Sequence, residues 1–176
     1  MAVLSDRNIY VSDPYNHRIQ KRTSEGVFVT QWGTEGSGDG EFSYPQGVAT
    51  ASDGSVYVAD EGNHRIQRFT SEGVFVSKWG NRGNGNGQFY LPRDVAVSPD
   101  GIVYVTDSFN HRIQKFTSEG VFVSKWGIQG RGNGQINIPQ RVAVTPEEIV
   151  IIVDCAKESR IQKFTSDGAF VGMLGT

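Results

Sequence analysis

Cysteine is almost absent from this 176-residue chain. Cys155 stands alone, which excludes an intramolecular disulfide framework and a cysteine-built zinc site. No uninterrupted apolar run approaches the roughly 18 residues that a membrane-spanning helix needs, so no membrane partner is expected. Met1-Ala2-Val3-Leu4 does not lead into a signal peptide, because Ser5, Asp6 and Arg7 end the apolar stretch at once. The compartment stays open. An excess of one charge is missing too: 17 basic residues meet 19 acidic ones, for a formal net charge of −2. That balance supplies no global field to draw in nucleic acid or anionic lipid. Helical periodicity longer than a few residues is also lacking. Glycine, by contrast, is plentiful at 22 residues, against a usual share of roughly 7%. With frequent Val, Ile, Phe and Tyr, it points to short strands joined by tight turns.

Self-similarity organises the chain. Asn16-His17-Arg18-Ile19-Gln20 recurs at 63–67 and 110–114, each 47 residues on. The segments 64–80 and 111–127 differ only at Arg68 and Lys115. A looser fourth copy reads Glu158-Ser159-Arg160-Ile161-Gln162, one residue late. Asp13, Asp60, Asp107 and Asp154 keep the period, as do Pro45, Pro92 and Pro139, and Trp32, Trp79 and Trp126. Four copies of one supersecondary unit form a single repeat domain, with blades expected over 1–47, 48–94, 95–141 and 142–176.

Within the second copy, Val48-Ala49-Thr50, Val56 to Ala59, His64 to Phe69 and Val74 to Trp79 read as four strands. Turn residues separate them at Ser52-Asp53-Gly54, Asp60 to Asn63 and Ser71-Glu72-Gly73. Four antiparallel strands in about 47 residues are one propeller blade. The second strand is apolar on consecutive residues, as a sheet buried on both faces requires. Ala49, Ala96 and Ala143 put small residues on the first strand, where blades converge on an axis. The fold class expected is all-β, a β-propeller of four blades. Those blades form a four-bladed ring or part of a larger ring completed by oligomerisation.

The run Val56-Tyr57-Val58-Ala59-Asp60, followed by Gly62-Asn63-His64-Arg65-Ile66-Gln67, Gly87-Gln88-Phe89 and Pro92, closely resembles the NHL repeat. The likeness extends over essentially the whole chain. It implies a propeller, commonly six-bladed. In the family such propellers serve as RNA- or protein-binding modules and as extracellular sensors, and in one case as a zinc-dependent amidating lyase. This chain departs from the family in having four blades whose sequence units do not overlap covalently at the ends.

Several motifs read more simply as structure than as chemistry. His17, His64 and His111 invite a zinc site, but equivalent places on successive blades hold them apart, and the first strands carry no histidine. A structural role in their own turns, with Asp13, Asp60 or Asp107 as partners, is expected, and no metal. The runs 33–40, 80–87 and 127–134 lack the Lys-Ser/Thr ending and the helix of a phosphate-binding loop. They read as interblade connectors that use glycine for positive φ. Asp53-Gly54 and Asp100-Gly101 are hairpin turns without the acidic ladder of a calcium loop. No Gly-x-Ser-x-Gly elbow is present, and Cys155 has no activating neighbour. No catalytic residue and no cofactor are assigned.

The positions at which the repeats differ carry the functional information. Connectors after the second and fourth strands share one face. On it Tyr15, Tyr44, Arg82, Arg93, Phe109, Arg131 and Arg141 are the candidate ligand-binding residues. Aromatic and arginine side chains on loops over a rigid scaffold suit recognition. The expected function is a non-catalytic binding scaffold, with protein or peptide as the first partner and RNA as the second. Two alternatives stand beside it: a self-assembling propeller fragment, isolated or engineered, with no ligand of its own, and a metal-dependent lyase or hydrolase. Apolar strands in the end blades predict either a closed four-bladed monomer or a homo-oligomer, with a dimer favoured.

Overall fold

Four four-stranded antiparallel sheets follow one another along the chain, each with its strands in sequence order. The computed structural model describes residues 2–3, 8–155 and 159–174. Glu158 of the fourth repeat motif lies outside the described residues. Blade one holds β1 (Ala2–Val3), β2 (Ile9–Asp13), β3 (Arg18–Arg22) and β4 (Phe28–Trp32). Blade two holds β5 (Pro45–Thr50), β6 (Val56–Asp60), β7 (Arg65–Phe69) and β8 (Phe75–Trp79). Blade three holds β9 (Pro92–Val97), β10 (Val103–Asp107), β11 (Arg112–Phe116) and β12 (Phe122–Trp126). Blade four holds β13 (Pro139–Val144), β14 (Val150–Cys155), β15 (Ser159–Phe164) and β16 (Phe170–Leu174). The inner strands of blades two to four start at proline, three residues before the expected Val48 and its counterparts. A strand's first residue needs no ladder N–H, and the register slips between Pro45 and Val48, so proline fits there. No helix of the described residues is long and apolar enough to cross a membrane.

The blades stack face to face around the inner strands: β1 and β2 pack on β5, β5 on β9, and β9 on β13. Each interface joins a forward face to a backward face. Between blades two and three, Tyr57, Ala59, Ile66 and Trp79 meet Val103, Val105, Phe116 and Phe122. Trp79 packs at an interblade seam, its ring 5.8 Å from Phe116 of the next blade, in a cluster that also takes in Phe122. Phe75 instead belongs to the seam formed with Trp32.

Burial on both faces explains the unbroken apolar strands. Every residue of β6 and β10 is buried. At the ends the period of two returns. In β14, Val150 and Ile152 are buried while Ile151 and Val153 are half-buried. In β2, Tyr10 is buried between half-buried Ile9 and Val11. Among the described residues, no buried cluster joins blade four to blade one.

The repeated polar motif holds the connectors. Pairing Asp60 with Arg65 and Val58 with Gln67 across β6 and β7 sets three polar side chains on one edge of the sheet. The Asp60 carboxylate accepts from Arg65 Nε at 2.7 Å, Asn63 Nδ2 at 2.9 Å, Gln67 Nε2 at 3.1 Å and the Ser43 N–H at 2.7 Å. Arg65 then donates to the carbonyls of Ser37, Gly38 and Glu41 in the preceding connector. Asp107 and Arg112 repeat this arrangement in blade three. In blade one Arg18 turns to Gln31 of its own blade instead.

Candidate functional site

Each face-forming loop is fixed by its own backbone. After the second strand of blades one to three, a single 3-10 turn ends on a histidine in the left-handed region, at φ 52, 56 and 54° for His17, His64 and His111. The imidazole Nδ1 of each accepts an N–H from a residue 27 positions on: Tyr44 at 3.4 Å, Leu91 at 3.1 Å and Ile138 at 3.1 Å. Those three acceptor-bound residues also have positive φ, 51–54°, a strained state for branched side chains that the bond holds in place. The partner of each histidine is the connector to the next blade and not the turn's aspartate that the sequence suggests. Loss of water around His64, and the positive Arg82 nearby, hold its pKa below the ordinary histidine value. His111 is lowered by desolvation as well.

Five of the seven candidate residues fall into two clusters. Arg82 lies over the Tyr90 ring, 5.0 Å from its centroid. Tyr90 packs on Phe109 at 5.4 Å, and Arg93 covers Phe109 from 5.6 Å. The Phe109 N–H donates to the Tyr90 carbonyl at 3.1 Å, joining the two loops. Arg93 is further held by Glu61 at 3.0 Å and by Gln140 at 2.5 Å. A cleft of about 360 Å³ opens beside this stack, lined by Arg82, Gly83, Asn84, Tyr90 and Asn110. In the second cluster, Tyr15 is 84% exposed and meets Tyr44 edge-on at 6.1 Å. His17 lies on the other side of Tyr44 at 5.1 Å.

Arg141 sits elsewhere, at the mouth of the axis. With Ser12, Pro14, Gln46, Gly47 and Asp94 it lines a second cleft of about 360 Å³ to which all four blades contribute. Asp94 accepts the Val142 N–H at 3.0 Å and so ties blade three to blade four. Burial pushes its carboxyl above the usual range. Arg131 is exposed on the last connector, where its carbonyl accepts from Arg160 at 2.5 Å. Among the described residues it makes no ring contact or ion pair with either aromatic cluster. Of the candidate arginines, Arg93 is the one that covers Phe109.

Tyr90 is the residue that sequence reading missed. Its signal was available, since it replaces Ser43 and Asn137 at the equivalent places.

The profile of the NHL repeat matches residues 42–69 and 89–116. Two segments of this chain match the NHL repeat. Each matched segment begins and ends on phenylalanines that touch, Phe42 with Phe69 at 5.6 Å and Phe89 with Phe116 at 5.5 Å. An NHL repeat here thus runs from the end of one connector through the third strand of the next blade. Among curated proteins no relative matches. Solved propeller structures do. A catalytically inactive virginiamycin B lyase from Staphylococcus aureus, with quinupristin, superposes with a TM-score of 0.72 at 16% identity, over 96% of this chain and 52% of that one. A nidogen/laminin complex gives 0.70 at 16%, over 99% and 62%. Kuenenia stuttgartiensis hydrazine synthase gives 0.73 at 12%, over 98% and 48%. The chain spans about half to three-fifths of the length of these structures. At such identities the likeness is one of fold.

Proposed function

We propose that this NHL chain is a non-catalytic binding scaffold whose loop face takes a protein or peptide. The observation that carries the reading is the Arg82–Tyr90–Phe109–Arg93 stack beside an open cleft. Rigid aromatic rings lose little conformational entropy on binding, and arginine pairs with carboxylates in a planar fork. Phe109 remains 39% exposed although it is stacked, so a partner finds a preformed apolar step between two cations. Peptides that place an aromatic or aliphatic side chain next to a carboxylate suit this step. The nidogen/laminin likeness supports a protein partner only as an analogy of fold.

Selection of binders from a random peptide library, followed by titration against variants, tests the reading. Phe109→Ala and Arg82→Glu should each weaken the selected peptides by tenfold or more, on the order of 1.4 kcal/mol or above. Binders indifferent to both changes would remove the loop face as the site. An oligouridine titrated in parallel addresses the RNA reading. RNA binding that tracks Phe109 and Arg82, with no peptide binding, would replace the protein partner by single-stranded nucleic acid.

A further inference from the structure

Blade one lacks what every other blade receives from its predecessor. Gly73, Gly120 and Gly168 stand at the same turn, and each is closed over by an indole of the preceding blade. A Cβ at these positions would lie 2.5–2.6 Å from the rings of Trp32, Trp79 and Trp126 respectively. At the equivalent Gly26 nothing lies within 4 Å. Phe28 beside it is 50% exposed, whereas Phe75, Phe122 and Phe170 are packed into seams. Blade four shows the complement. Leu174 holds the tryptophan position and is 40% exposed, with half-buried Ile151, Val153 and Ile161 behind it.

A charge pattern specifies the match. Lys21 reaches Glu72 of the next blade's turn at 2.8 Å and Lys115 reaches Asp167 at 3.8 Å, while Arg68 between them pairs with Asp53 of its own blade at 3.1 Å. Lys163 is the next cation in that series, and among the described residues it makes no ion pair. Glu25 is the turn acid of blade one and receives no cation from a preceding blade among the described residues. We infer that the backward face of blade one docks the forward face of blade four from a second copy of this chain. Leu174 seats at Gly26, and Lys163 pairs with Glu25 across the contact. Made twice, the contact obeys a two-fold axis and closes an eight-blade ring. The four-blade arc already follows about half of the virginiamycin B lyase chain, with 96% of its own length superposed. Two copies supply the remainder.

Sedimentation equilibrium on the intact chain tests this. Wild type should behave as a dimer, twice the 19.3 kDa of the chain. Lys163→Glu and Glu25→Lys should each shift the mass to that of the monomer, with circular dichroism unchanged. The double variant, with the pair reversed, should restore the dimer. A wild-type monomer at all loading concentrations overturns the inference, as does mass that grows without limit. Failure of the reversed pair to restore association overturns the register. Because both residues lie away from the loop cluster, peptide binding to the monomeric variants reports separately on the proposed function.

Discussion

Replacing Asp60 by asparagine, and separately Asp13 by asparagine, compares one motif in two settings of the same chain. Asp60 is fully buried and its partner Arg65 is 7% exposed, with four donors converging on the carboxylate. Removing the charge leaves Arg65 buried without a counterion and loosens its grip on the connector carbonyls. Losing one member of such a pair costs about 3–5 kcal/mol. In blade one the pair is 23% and 32% exposed, and Arg18 binds no connector. An exposed pair is worth about 0–1 kcal/mol. Urea or thermal unfolding followed by tryptophan fluorescence reads both, at about 2–4 °C per kcal/mol for a chain this size. Asp60→Asn should shift the midpoint several-fold further than Asp13→Asn. Equal shifts would refute the idea that these aspartates act by stapling a connector.

Three other outcomes follow from the packing. Trp79→Ala should cost about 3–5 kcal/mol in the same assay, because the indole fills the seam between Tyr57 and Phe116. Gly120→Ala should also destabilise, since it combines φ +83° with a Cβ 2.5 Å from the Trp79 ring, and in a Trp79→Ala background its cost should fall to the backbone strain alone. Acidification should loosen the loops. The folded-state pKa values of His64 and His111 lie below the ordinary one of 6.5, so the unfolded chain binds the proton more readily. Their stability contribution is full above that pH and falls as pH drops through the depressed values. His64→Gln should flatten the fall in a stability-versus-pH series, and an unchanged slope would contradict the Nδ1 contact with Leu91.

Repeat number, strand count and the glycine connectors were legible in the sequence because turn chemistry and local periodicity encode them within 47 residues. The histidine's bond to a residue 27 positions on was not, because it forms only once one blade stacks on another. The same holds for Trp79 meeting Phe116 of the next blade. A bulge in each inner strand moves its start to proline, and no pattern of side chains marks that. Of the candidate face, Phe109, Arg82 and Arg93 were found as deviations from the repeat. Tyr90 deviates equally, but it lies beside the conserved proline turn and reads as part of it. Arg131 and Arg141 were grouped with the others by loop position alone, and the curvature of the stack separates them.

Hydrogen exchange of the chain with and without a selected peptide tests the scaffold reading most directly. Slowed exchange should concentrate at residues 82–91 and 108–111, the two loops that build the Arg82–Tyr90–Phe109 stack. Protection confined to the opposite turns, at residues 52–55, 71–73 and 99–102, would contradict it.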